Sequence, residues 1–201
     1  MIALMNVHVT TSAPIGERCA AWAKEHLPSG VVLTGMEECD IFISVFYNKL
    51  ISADFIASKK RCLNFHGGIL PENRGSATPN WAIINGDAET GITLHEIDAR
   101  VDHGPIIEVR RFALDPNETG VTVMKKMEEL IFAMFTEWFA RLATLDYTAT
   151  PQDDRKARRY TRADFQNAKD LTRFARAYHY PPYEQAYYYN AKGEKIYLVW
   201  E

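Results

Sequence analysis

Three polar residues stand in a pattern that suits acid–base chemistry. Asn64-Phe65-His66 is followed by Gly67-Gly68-Ile69-Leu70-Pro71. A second cluster, Arg74-Gly75-Ser76, leads into Pro79-Asn80-Trp81-Ala82. A third, Gly91-Ile92-Thr93-Leu94-His95 with Ile97-Asp98, runs into Val101-Asp102-His103-Gly104-Pro105. A neutral imidazole is the usual general base near neutral pH, and a carboxylate on its far nitrogen would fix the tautomer and stabilise the imidazolium. An asparagine amide can donate to an oxygen on which charge develops, a contribution on the order of 3 kcal/mol in comparable sites. Together these groups suit acyl transfer to an amine. No serine or cysteine is presented as a nucleophile, so direct transfer is expected rather than a covalent intermediate. Taken alone, Asn-x-His is a common pair: His66 could equally be a hydrogen-bonded structural histidine, and Asp102 a turn residue. His66, His95 and His103 with Asp98 lack zinc-site spacing, and no metal is expected.

The elements that must position these residues alternate along the chain. Ile2–His8 reads as a buried strand, and Thr10-Thr11-Ser12 with Pro14 as a capped helix start leading into Ile15–Leu27. Val31–Thr34 and Ile41–Tyr47 read as strands, but only about six residues separate them, too few for a helical crossover between parallel neighbours. Ala53–Ser58 reads as helix, Arg61–Phe65 as strand, Pro79–Asn85 as a short helix, and Gly91–Ile97 and Pro105–Phe112 as strands. This alternation predicts an α/β fold: a Rossmann-like, mostly parallel twisted sheet with flanking helices. In such sheets ligands bind beyond the carboxyl ends of strands, where Asn64 and His66 fall. Residues two apart in an extended strand point the same way. Gly120–Leu145 is the clearest helix, with Met124, Met127, Leu130, Ile131, Met134, Phe135, Trp138 and Leu142 forming one apolar stripe.

Residues 1–146 are thus expected to form the catalytic domain and 147–201 a C-terminal extension with a helix and a β-hairpin. Tyr147–Thr161 reads as a polar linker, its Arg155, Lys156, Arg158 and Arg159 forming a charged face that could touch phosphate. Ala163–Tyr178 reads as helix, and Gln185–Asn190 with Glu194–Trp200 as the hairpin.

Bulk composition narrows the function classes. The chain has 201 residues, 47% hydrophobic and 24% charged, with a formal net charge of −3. That balance fits a globular protein and argues against wrapping a nucleic-acid backbone. Its three cysteines, Cys19, Cys39 and Cys62, make neither a disulfide framework nor a zinc knuckle. No secretory leader and no membrane-spanning run of roughly 20 apolar residues is seen, so the cytoplasm is the expected location.

The run from Asn64 to Ile107 resembles the core signature of the folate-dependent formyltransferases, which act on glycinamide ribonucleotide, methionyl-tRNA or nucleotide sugars. The shared features, in order, are Asn64, His66, Leu70-Pro71, Arg74-Gly75, Gly91-Ile92-Thr93 and Asp102-His103-Gly104. The resemblance implies that Asn64, His66 and Asp102 form the catalytic triad and that 10-formyltetrahydrofolate is the donor. It also implies that the strand ending in Phe46 and Tyr47, with Leu50, lines the pterin pocket together with Asp98 and Val101. Lys49, Gly67, Arg74 and Trp81 would then lie on the acceptor side, although the indole of Trp81 suits the core better. The tail Tyr180-Pro181-Pro182-Tyr183-Glu184 with its hairpin resembles the sugar-modifying branch, where the acceptor is a nucleotide-linked amino sugar, the product serves O-antigen and lipopolysaccharide synthesis, and homodimers are common. The sequence departs from the family at Gly67-Gly68 and His103 and is short before Asn64. Alternative outcomes are formyl transfer to a carrier-bound amino acid or to glycinamide ribonucleotide, hydrolysis of the formyl folate, and a binding module without turnover.

Overall fold

The computed structural model describes residues 4–161, 165 and 169–200. The chain opens with β1 (Met5–Thr11), α1 (Pro14–Glu25), β2 (Val31–Leu33), β3 (Ile41–Val45), α2 (Ala53–Ser58) and β4 (Arg61–His66). It continues with β5 (Arg74–Gly75), α3 (Thr78–Asn85), β6 (Glu89–Glu96), β7 (Ile106–Ala113) and α4 (Gly120–Ala143). The tail carries β8 (Arg159–Tyr160), α5 (Leu171–Ala177), β9 (Ala186–Tyr189) and β10 (Lys195–Leu198). Part of the expected helix at Ala163–Tyr178 lies outside the described residues, as do Ile2 and Ala3, the first two residues of the expected strand Ile2–His8.

The main sheet has the order β2-β1-β3-β4-β6-β7. β1 pairs in parallel with β2 and β3, and β3 with β4, whereas β6 and β7 run antiparallel. The architecture is therefore the expected α/β one with flanking helices and a terminal hairpin, and with an antiparallel edge. The short link between β2 and β3 has a simple geometric explanation. β2 pairs with Met5–Val7 on one side of β1, while β3 starts opposite Val7 and pairs onward to Thr11 on the other. The chain thus crosses β1 at one level and never returns to the start of the sheet. Thr34 and Asp40 donate to the Val7 and Asn6 carbonyls as it passes.

Strand alternation splits the sheet into two chemically distinct faces. Ile41, Ile43 and Val45 of β3, Leu63 and Phe65 of β4, and Ile92 and Leu94 of β6 all enter the large core. There they meet α4, whose Met127, Ile131, Met134, Phe135, Phe139 and Leu142 are fully buried. α1 completes that layer, with Trp22 edge-on to Phe135 and Phe139. At about 25 cal/mol per Å² of apolar surface removed from water, this layer is the main source of stability. The opposite face carries Phe42 and Cys62, covered by Phe55 and Ile56 of α2, and then turns polar with Ser44, Asn64, His66, Thr93 and His95.

Two local expectations fail. Thr10 and Thr11 extend β1 instead of capping α1, whose N-cap is Ala13 without a side-chain bond; Pro14 holds the first turn. Thr11 Oγ1 instead accepts from the Ala13 amide at 2.9 Å, closing a tight corner. The segment 147–161 is not a free linker. Thr150 bridges Ile106, and Arg159 and Tyr160 form β8 against β5. Gln152 and Asp154 find partners on or beside the loop that carries Asp102, while Arg155, Lys156, Arg158 and Arg159 stay exposed.

Candidate active site

The register of β3, β4 and β6 places Ser44 beside Asn64 and Asn64 beside His95. These three side chains form one polar row across three strands, each buried or half-buried. Ser44 Oγ donates to Asn64 Oδ1 at 2.8 Å, and Asn64 Nδ2 lies 3.2 Å from His95 Nε2. His95 Nδ1 is 2.6 Å from the Glu96 carbonyl. A carbonyl only accepts, so Nδ1 carries the proton and Nε2 accepts from the Asn64 amide. Burial drives His95 down to about 4, with the Asp102 carboxylate opposing that shift, so the ring is neutral at neutral pH. The row therefore fixes the Asn64 amide in one orientation, with one N–H directed at His95. A bulge between Leu94 and His95 sits at this position, where β6 steps past Ile107 of β7.

His66 ends β4 and is held differently. Its Nε2 donates to the Asn73 carbonyl at 2.7 Å, so its lone pair is on Nδ1. Nδ1 faces Asp102 Oδ1 at 3.7 Å. The sequence reading puts Asp102 on the nitrogen that orients the ring; in the structure Asn73 orients the ring, and Asp102 faces the basic nitrogen. A proton gained at Nδ1 would thus form beside the carboxylate. The buried turn Gly67–Asn73, with a cis Leu70-Pro71 bond, carries Asn73 back onto His66. Thr93 Oγ1 ties that turn down, donating to Gly68 O and accepting from Leu70 N. A Cβ on Gly68 would stand 2.9 Å from His66 Nε2, so a side chain there would push on the ring.

Asp102 lies in an excursion between β6 and β7. The Ile97 amide donates to Cys62 O and the Glu96 amide to Pro105 O, so the loop leaves and rejoins at one place. Asp102 sits at φ 50, a left-handed conformation that aspartate tolerates better than most residues. Its Oδ2 accepts from the Gly75 amide at 2.8 Å, and its Oδ1 also lies 3.9 Å from His95 Nε2. Gln152 clamps the loop by donating to the Asp102 and Gly104 carbonyls, and its own oxygen accepts from Arg74. Gly75, at φ +104, lies against the Tyr160 carbonyl, where a Cβ would be 2.0 Å away. Only glycine keeps that amide aimed at Asp102.

Of the remaining sequence candidates, Phe46 and Tyr47 follow β3 half-buried, with Phe46 at φ 50 and its ring against Gly67. Lys49 is exposed and Leu50 stands 89% exposed. Asp98 is paired with His103, and Val101 is exposed beside Asp102. Arg74 is bonded to Gln152 and Asp154, and Trp81 is buried in a stack with Tyr160 and Phe165. The structure thus brings Asn64, His66, Gly67 and Asp102 together and ties Arg74 to them through Gln152. It sets Trp81 in the core. His103 turns to Asp98, Arg100 and Asp154, while His66 and His95 face each other at 6.1 Å between ring centroids. Among the described residues no cluster of His, Cys, Asp and Glu is arranged to hold a metal ion.

The Asn64 amide, the His66 imidazole and the Asp102 carboxylate converge at the end of a central strand. The profile of the Formyl transferase family matches residues 22–137, and the chain belongs to that family of enzymes. Its fold is that of solved sugar N-formyltransferases. One from a Shewanella species is 16% identical with a TM-score of 0.78, covering 98% of this chain and 97% of its own. A 4-N formyltransferase from Francisella tularensis is 20% identical with a TM-score of 0.76, covering 98% and 97%. An N-formyltransferase from Helicobacter canadensis, in complex with folinic acid and dTDP-3-aminofucose, is 18% identical with a TM-score of 0.69, covering 86% and 76%.

Proposed function

We propose that this formyltransferase takes its formyl group from 10-formyltetrahydrofolate and places it on the amine of a nucleotide-linked amino sugar, with Asn64, His66 and Asp102 as its catalytic residues. The observation that carries the reading is the pinned Asn64 amide beside His66, whose Nδ1 faces the Asp102 carboxylate at 3.7 Å. The Helicobacter enzyme's folate and amino-sugar ligands support the choice of donor and acceptor.

Bound 10-formyltetrahydrofolate would supply an electrophilic formyl carbon. Asn64 donates to the formyl oxygen as the amine attacks, a contribution on the order of 3 kcal/mol. His66 Nδ1 takes the proton the amine sheds, and Asp102, 3.7 Å away, offsets the new positive charge. The same proton passes to the departing folate nitrogen, so one N–C bond forms, one breaks, and His66 returns to neutral. The donor has surfaces that suit it: apolar Leu50 and Val101 are exposed on the loops after β3 and β6, with half-buried Phe46 and Tyr47 behind. We place Asp98 with them, and Lys49, Gly67 and Arg74 on the acceptor side. Residues 147–201 act as an extension on a catalytic domain of 1–146. Its hairpin exposes Tyr188, Tyr189 and Tyr197, a surface for a homodimer. We set the reaction in the cytoplasm.

The test is formyl transfer from 10-formyltetrahydrofolate to a panel of dTDP-, UDP- and GDP-linked amino sugars by wild type and His66→Asn. Transfer to one sugar class, lost in the variant, supports the reading. Transfer that survives His66→Asn would sink the mechanism. Formate release that needs no amine would replace the transferase reading with a hydrolase.

A further inference from the structure

Beside the Asp102 loop lies a cleft of about 330 Å³. Arg74, Arg100, Val101, His103, Arg158 and Arg159 line it. Four arginines from three separate segments line one concavity in a chain whose net charge is −3. Two carboxylates touch this wall: Asp154, which pairs with Arg74 at 2.8 Å and lies 3.6 Å from Arg100 and 3.5 Å from His103, and Asp98, which pairs with His103 Nδ1 at 2.5 Å. Among the described residues no hydrogen bond or ion pair occupies the guanidinium of Arg158 or Arg159; Asp87 feels the Arg158 charge only at a distance. Arg74 is held with its side chain 12% exposed. Such a wall is built: like charges repel, and holding four of them around one cavity is favourable when an anion completes it.

We propose that this cleft is an oxyanion-binding site for the multiply charged end of a substrate, and that filling it fixes the Asp102 loop. Arginine forks suit phosphate and carboxylate oxygens, which they can bind in pairs of parallel hydrogen bonds. Two sources carry that chemistry under the proposed function, on which this assignment rests: the diphosphate of a nucleotide-linked sugar and the glutamyl carboxylates of the folate. Arg100, Val101 and His103 bracket Asp102 in sequence, so an anion in the cleft contacts the loop that carries the carboxylate. The loop's other clamps, Gln152 and the Gly75 amide, flank the same wall through Arg74 and β8. Recognition of charge and placement of Asp102 are then one event.

Calorimetric titration tests this without requiring turnover. Inorganic pyrophosphate is the first probe, followed by UDP, dTDP, and tetrahydrofolate bearing one or three glutamates, on wild type and on Arg158→Ala/Arg159→Ala. Pyrophosphate should bind wild type and weaken about tenfold or more in the double variant. Loss confined to UDP or dTDP assigns the diphosphate as the source, and loss confined to the triglutamate assigns the folate tail. Unchanged affinity for both substrate classes, in a variant melting like wild type, overturns the site. Should the variant not fold, a wild-type pyrophosphate affinity identical at about 50 and about 500 mM salt overturns it equally. A chain inactive toward every amino sugar would refute the acceptor proposed above and leave these binding constants standing.

Discussion

The row Ser44–Asn64–His95 and the loop carrying Asp102 sit on the same face of the sheet but are held by opposite means. The row takes its geometry from strand register: three neighbouring strands fix three side chains, and each hydrogen bond follows from which residue stands opposite which. The loop takes its geometry from single bonds to distant segments, one from the Gly75 amide and two from Gln152. Damage to the row should remove chemistry while the fold stays. Damage to the loop's anchors should blur the position of one carboxylate.

The sharpest break is in the chemistry itself. Asn64→Ala should lower kcat for formyl transfer by about 10²–10³-fold, and His66→Asn by about 10²–10⁴-fold, read in a steady-state assay. Equal losses from Gln152→Ala would erase the distinction between row and loop. Gly75→Ala comes next, because it adds a Cβ 2.0 Å from the Tyr160 carbonyl at a positive φ and turns the amide from Asp102. A loss of about 2–4 kcal/mol in urea unfolding is expected, with kcat falling as well.

The row also carries a pH signature. His95 titrates near 4 in the folded chain, below the roughly 6.5 of an unfolded histidine. The unfolded chain therefore binds more protons between those values, and stability falls as pH drops through that window and levels off below it. His95→Gln, which keeps an acceptor for Asn64 and does not titrate, should flatten that part of the curve in melts from neutral pH to about 4. An unchanged curve would mean the imidazole is not held neutral by burial. The smallest effect belongs to Gln152→Ala, which removes two donors from the Asp102 loop. It should cost about 1–2 kcal/mol of stability and less than about tenfold in kcat.

This division also marks what could be read from the sequence. Asn64 and His66 were legible as a pair because strand alternation puts them on one face, and the sheet with its helices follows from apolar periodicity. His95 draws notice in the sequence only as a metal ligand; its service to Asn64 depends on antiparallel register, which no local pattern encodes. Asn73 acts through its backbone carbonyl, so its side-chain type signals nothing. The orientation of His66 therefore comes out reversed from the sequence reading. Segment 147–161 reads as a linker because its residues are polar, yet Tyr147, Thr150, Gln152 and Asp154 among them anchor it. Thr10 and Thr11 are as good in a strand as at a cap, and pairing with β3 decides for the strand.

Gln152 has one more consequence. It lies outside residues 22–137, the stretch matched to the family profile, yet it grips the loop that presents Asp102. A chimera that joins this chain's first part to another enzyme's tail would inherit its β-sheet intact and still mistune its carboxylate. The tail and the position of the Asp102 carboxylate are thus mechanically linked. Exchanging the tail while grafting Gln152 would separate the two.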